Sequence, residues 1–181
     1  AVIAAAAGLA LLAGCAGVSE EAASGNASET RTVADATGAK VEVPEDPKAV
    51  ATLHYAATET LMDLDAPPIV QGEYQDPAVP EEWLDELEDI PVVSQQEPDL
   101  EKLAEAEPDL ILSPNIFEPE MVEQLEEIAP VYQFTLRGGD RANWQQRVKE
   151  VADAVNRTDE LDVRDSGFLA RQEKLAQKYA E

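Results

Sequence analysis

Reactive side chains are scarce in this sequence. One histidine, His54, and one cysteine, Cys15, occur in 181 residues. A single cysteine excludes an internal disulfide, and a lone histidine excludes a His-rich zinc site. There is no Gly-x-Ser-x-Gly elbow and no Walker-type phosphate loop, and the carboxylates fall at no metal-ligand spacing. These gaps predict a chain that is not an enzyme and holds no metal or cofactor of its own. Basic residues are also few, 13 against 38 acidic, for a net charge of −25. Such a charge repels a phosphate backbone, which argues against nucleic acid as a partner. It favours solubility and suits a secreted or salt-exposed surface without specifying a ligand. Aromatics are sparse at 5%, whereas 44% hydrophobic residues suffice for one ordinary core, and the length allows one domain with extras.

What is present begins with residues 1–12, nearly all Ala, Val, Ile, Leu and Gly. That run is too short to cross roughly 30 Å of hydrocarbon as a stable helix, but it fits the apolar region of a secretory signal. The chain does not start with Met, so a preceding basic stretch is expected to have been trimmed. The run ends in Leu12-Ala13-Gly14-Cys15, which resembles a bacterial lipobox. That resemblance implies a signal peptide over residues 1–14, cleavage before Cys15, lipidation of Cys15, and an anchor at the outer face of the cytoplasmic membrane. Residues 15–31 are rich in Ser, Gly, Ala, Glu and Asn and read as a flexible tether.

Residues 32–44 alternate apolar and polar on both sides of a Gly38 turn and predict a β-hairpin, ended by Pro44 and Pro47. Strand–helix units follow. Val50-Ala51-Thr52-Leu53 is a strand, and Thr58 is expected to cap a helix carrying Leu61, Met62 and Leu64. Ile69-Val70-Gln71 is the second strand, residues 81–87 a short acidic helix, and Val92-Val93 the third strand. Residues 97–112 predict a short helix feeding a buried strand. Leu100, Leu103 and Ala104 share one apolar face, Asp99 is the N-cap, and Glu101 places negative charge in the first turn. Pro108 stops that helix, and Leu110-Ile111-Leu112 is the apolar run of a strand covered on both faces. A helix over residues 118–128 buries Met121, Val122, Leu125 and Ile128, and Val131-Tyr132-Gln133-Phe134 is the fifth strand. A helix over residues 141–155 carries Trp144, expected to pack against the sheet, and a second long helix follows from residue 159. This alternation predicts an α/β, Rossmann-like lobe with a parallel sheet flanked by helices, whose ligands bind outside the carboxyl ends of the strands.

The ordered motifs resemble the periplasmic-binding-protein family of iron-siderophore, haem and cobalamin ABC importers. They are the lipobox, Asp35-x-x-Gly38-x-x-Val41-x-Val43-Pro44, Pro47-Lys48-x-Val50, Thr58-Glu59-Thr60-Leu61, Pro98-Asp99-Leu100-Glu101-Lys102-Leu103, Pro108-Asp109-Leu110-Ile111-Leu112, and Ile128-Ala129-Pro130. The resemblance covers nearly the whole chain after the tether. It implies an N-terminal ligand-binding lobe over residues 32–157 and the start of a long interlobe helix over residues 158–181, with the second lobe lying beyond the sequence. Two departures stand out: Ala49 where the family usually has Arg, and Leu64-Asp65-Ala66 in place of Leu-Gly-Val.

Strand ends and the resemblance together nominate ligand-binding residues. His54 and Tyr55 follow the first strand, Tyr74 the second and Gln95 the third, where some hydroxamate-binding relatives place an Arg. Asn115 and Phe117 follow the fourth, Phe117 matching a Tyr that touches siderophore in some relatives. Arg137 and Arg141 follow the fifth and suit an anionic iron complex. Glu101 is implied to dock on arginines of a membrane permease. The expected protein is a monomeric, lipid-anchored solute-binding lipoprotein that captures a ferric siderophore and delivers it to an ABC permease. Two alternatives stay open: a haem- or cobalamin-binding member of the same family, with His54 or Tyr55 as a haem-iron ligand, and a non-transport envelope lipoprotein that binds a protein or polymer.

Overall fold

The computed structural model describes residues 29–74, 79–93, 97–138 and 143–179. Cys15 and the signal region lie outside them, as do Gln95 and Arg141. The described chain forms a hairpin and a three-layer α/β unit. Strands β1 (Thr30–Ala34) and β2 (Lys40–Pro44) pair antiparallel, Val33 opposite Val41. β1 starts at Thr30, so the last residues assigned to the tether belong to the hairpin.

β3 (Val50–Thr52), β6 (Leu110–Pro114) and β7 (Val131–Phe134) run parallel, with Ala51 opposite Ile111 and Ile111 opposite Val131. β4 (Gln71–Gly72) and β5 (Val92–Val93) form a second parallel pair. The pair joins β3 through the bridge between Ala51 and Val70, where the Thr52 N–H donates to the Val70 carbonyl at 2.9 Å. The strand order across the molecule is therefore β5-β4-β3-β6-β7. The predicted second strand, Ile69 to Gln71, is displaced by one residue, although the Ile69 N–H still donates to the Val50 carbonyl at 2.8 Å.

Side chains alternate across this sheet as strand geometry requires. Val50, Leu110, Leu112, Tyr132 and Phe134 meet Ala57 and Leu61 of α1 (Tyr55–Asp63), Val151 and Ala152 of α5 (Trp144–Ala154), and Val33 and Val43 of the hairpin. Ala51, Leu53, Ile111 and Val131 meet Leu103 of α3 (Leu100–Glu105) and Leu125 of α4 (Pro119–Glu126) on the other face. β6 is buried at all five positions, which is why Leu110-Ile111-Leu112 is a continuous apolar run rather than an alternating one. At the edge, Glu81–Trp83 is a 3-10 turn leading into α2 (Leu84–Asp89), whose Leu87 is buried. Gln71, itself buried, ties β4 to the end of α2 by donating through Nε2 to the Leu87 and Ile90 carbonyls at 2.6 and 3.1 Å.

Several local expectations are corrected. His54, not Thr58, caps α1; Thr58 is buried inside the helix, its hydroxyl 2.6 Å from that of Thr52 on β3. In α3, Asp99 does cap, its Oδ1 accepting from the Lys102 N–H at 3.2 Å, but Ala104 faces solvent and only Leu103 is fully buried. That helix ends at Glu105, ahead of Pro108, because Glu107 takes a left-handed φ of 50°. Trp144 opens α5 with 56% of its surface exposed and does not pack against the sheet. α6 (Thr158–Lys178) buries Leu161 against the lobe and leaves Phe168, Leu169 and Leu175 exposed.

Candidate functional site

The strand order reverses between β3 and β6: the chain builds outward from β3 to β4 and β5, then returns to place β6 on the other flank. In open α/β sheets the crevice at that switch point, outside the strand carboxyl ends, receives the ligand. Four of the described nominees, His54, Tyr55, Asn115 and Phe117, follow directly on the two strands that bound it.

His54 leaves β3 and caps α1, with its Nδ1 accepting the Ala56 N–H at 3.1 Å. Its ring lies 4.2 Å, centroid to centroid, from Tyr55 and meets Phe134 edge-on at 6.1 Å. Burial first, and the guanidinium charge of Arg147 second, push its pKa down to about 4. The imidazole is therefore neutral at pH 7, and because Nδ1 accepts, its proton sits on Nε2. The neighbouring Tyr55 is 43% exposed. Across the same edge, Gly72 ends β4 so close to β3 that a Cβ there would lie 2.6 Å from the His54 nitrogen. Only glycine permits that approach. Tyr74 follows two residues later, half-buried.

The Asn115 side chain is tied to the loop that follows β7. Its Oδ1 accepts from the Leu136 and Arg137 N–H groups at 2.7 and 2.8 Å, and its Nδ2 donates to the Arg137 carbonyl at 2.9 Å. Phe117 is half-buried, with part of its ring on the core face built by α3 and α4. Arg137 is exposed, just before Gly138, whose φ of 80° turns the chain. Glu101 is exposed in the first turn of α3.

Two residues at this edge were not picked out by strand-end reasoning. Phe134 closes the far side of the His54 ring from inside β7, and its burial made it look like core alone. Arg147 projects its charge onto His54 and Glu59 from α5. Its position one residue before the half-buried Val148 was the available signal. Two concavities of about 730 and 500 Å³ lie along α6, one beside Asp65 and Asn156, the other between Trp144 and Phe168.

A sequence profile of the family described as "Periplasmic binding protein" matches residues 50–181. The chain belongs to the periplasmic binding protein family. The match starts at β3 and takes in every strand of the parallel sheet. Among individual relatives, the "probable siderophore-binding lipoprotein YfiY" of Bacillus subtilis is 34% identical over 74% of this chain and 41% of its own length. SirA of Staphylococcus aureus, solved in complex with staphyloferrin B, superposes with a TM-score of 0.60 at 25% identity, over 83% of this chain and 52% of its own. The siderophore periplasmic binding protein from the fuscachelin gene cluster of Thermobifida fusca superposes with a TM-score of 0.60 at 26% identity, over 75% of this chain and 51% of its own. The chain thus spans about half the length of the relatives it matches.

Proposed function

We propose that this lobe forms half of a lipid-anchored solute-binding protein that captures a ferric siderophore outside the membrane and passes it to an ABC permease. The observation that carries the reading is the strand-order reversal of a periplasmic-binding-protein lobe, with Tyr55 following β3 and the exposed Arg137 just beyond β7. A ferric siderophore is a preformed anionic chelate that brings its own iron ligands. It needs an apolar platform and a cation, not metal-ligating side chains. Tyr55, Tyr74 and part of Phe117 supply rings; Arg137, together with Arg141, supplies charge. Gln95 and Arg141 enter this account from the sequence alone. The names carried by the relatives from Bacillus subtilis and Thermobifida fusca support the same substrate class.

Haem ligation through His54 is disfavoured by the state of its ring. Ligation of iron through Nε2 requires the proton on Nδ1, where the Ala56 N–H already donates. Binding would cost the helix its cap. The membrane side of the function rests on Cys15, as the lipidated residue of an extracytoplasmic anchor, and on Glu101, as the contact to basic residues of the permease.

The test is a fluorescence-quenching titration of the full-length protein with a panel of ferric siderophores, run beside a haem absorption titration. Saturable quenching by at least one siderophore, with no Soret shift, is the expected result. A Soret shift abolished by His54→Ala overturns the siderophore assignment. Absence of quenching by every siderophore moves the assignment to an envelope lipoprotein with a protein or polymer partner.

A further inference from the structure

Asn115 was nominated as a ligand contact, but its side chain is almost fully engaged elsewhere. An asparagine amide has two donor hydrogens and an oxygen that accepts twice. Here the oxygen takes both successive N–H groups of Leu136 and Arg137, and the nitrogen donates to the carbonyl of Arg137. The Asn115 backbone joins in, its N–H donating to the Phe134 carbonyl at 3.0 Å. Both polar backbone groups of Arg137 are thus held by one side chain rooted at the end of β6. Immediately afterwards Gly138 turns away with positive φ. A loop residue held by both of its polar backbone groups keeps its Cα in one place at the strand ends, which narrows the region its guanidinium can sweep.

We infer that Asn115 is a positioning residue: it clamps the backbone of Arg137 so that the guanidinium meets an anionic chelate in the crevice without first being ordered. The inference rests on the proposed siderophore reading for the identity of the ligand, and on the three hydrogen bonds alone for the clamp. Preorganisation of this kind raises affinity by removing an ordering cost that binding otherwise bears.

Two measurements on the full-length protein separate those parts. Hydrogen exchange of the Leu136 and Arg137 amides reads the clamp with no ligand present. Asn115→Ala is expected to raise exchange at these two amides while α1, α5 and the sheet stay protected. Asn115→Asp keeps the oxygen that accepts both N–H groups but replaces the donor to the Arg137 carbonyl with a second oxygen, and is expected to retain part of that protection. Unchanged exchange in Asn115→Ala overturns the clamp, whatever the protein binds. The second measurement is a double-mutant cycle on siderophore affinity. Asn115→Ala and Arg137→Ala are each expected to raise Kd about tenfold, and the double variant no more than Arg137→Ala alone. Equal losses from Asn115→Ala in both backgrounds contradict positioning and leave only a structural bracket. A wild-type protein that binds no siderophore, yet shows the exchange difference, refutes the ligand reading and leaves the clamp standing.

Discussion

At the scale of single residues, side chains at the strand-end edge carry several structural contacts at once. His54 is the clearest case, since one ring caps α1, stacks on Tyr55 and meets Phe134. Its folded pKa of about 4 lies below the ordinary value of 6.5. Between those values the unfolded chain takes up a proton that the folded chain refuses, so stability falls as pH drops through that window. The loss is on the order of 2–3 kcal/mol by pH 4, measurable by urea unfolding at pH 7 and pH 4.5. His54→Asn keeps a capping acceptor without a titrating ring and is expected to flatten that part of the pH dependence. If the variant and wild type lose stability in parallel, His54 is not the titrating group. Gly72 is constrained more simply. A methyl at Gly72 would meet backbone atoms of Leu53 and His54 within 2.8 Å, and backbone gives way less readily than a side chain. Gly72→Ala is expected to cost about 1–3 kcal/mol, read as a lowered urea midpoint, and an unchanged midpoint would contradict the close approach.

At the scale of elements, the departure at Leu64-Asp65-Ala66 has a backbone consequence. Asp65 follows α1 with φ of 53°, in the left-handed region where glycine is at ease. Its carboxylate meets Arg164 of α6 at 2.5 Å, but an exposed ion pair contributes little. Asp65→Gly is therefore expected to stabilise the lobe by about 1 kcal/mol, and a loss of stability would show that the ion pair dominates. Long elements were legible in the sequence because their periodicity is strong. β6 and the α3 cap at Asp99 stand where the apolar run and the capping pattern put them. Short-range choices were not. Thr58 has a capping side chain, but the chain enters the helix four residues earlier, at a histidine that serves equally as an acceptor. Trp144 has the size of a core residue, but α5 begins there, and its first turn stands clear of the sheet. For the site, strand ends single out the switch-point edge, while side-chain direction, which turned Asn115 toward Arg137, is set by tertiary hydrogen bonds that no spacing encodes. The same limit applies to Glu101, exposed in the first turn of α3. Glu101→Ala is expected to abolish uptake into cells with siderophore affinity unchanged, and a weakened affinity would remove Glu101 from the docking role.

At the scale of the whole molecule, charge is distributed unevenly. Between residues 79 and 130, which include α2, α3 and α4, the only base is Lys102. α3 and α4 pack on the same face of the sheet, so that face is strongly acidic, and a net charge of −25 works against the compact state. Screening relieves this: raising NaCl from about 0.05 to 1 M, which shortens the Debye length to about 3 Å, is expected to raise Tm. A Tm that falls with salt would mean that specific ion pairs outweigh the self-repulsion. The opposite face and the crevice edge hold Arg147 and Arg137, so positive charge is concentrated there on a negatively charged protein. The proposed siderophore site is decided by where iron sits in the loaded protein. Anomalous diffraction at the iron edge, from crystals of the full-length protein loaded with a quenching ferric siderophore, locates it directly. The expected result is an iron peak outside the carboxyl ends of β3 and β6, with chelate oxygens contacting the Arg137 guanidinium. A peak along α6 between Trp144 and Phe168, or iron ligated by His54, would contradict it.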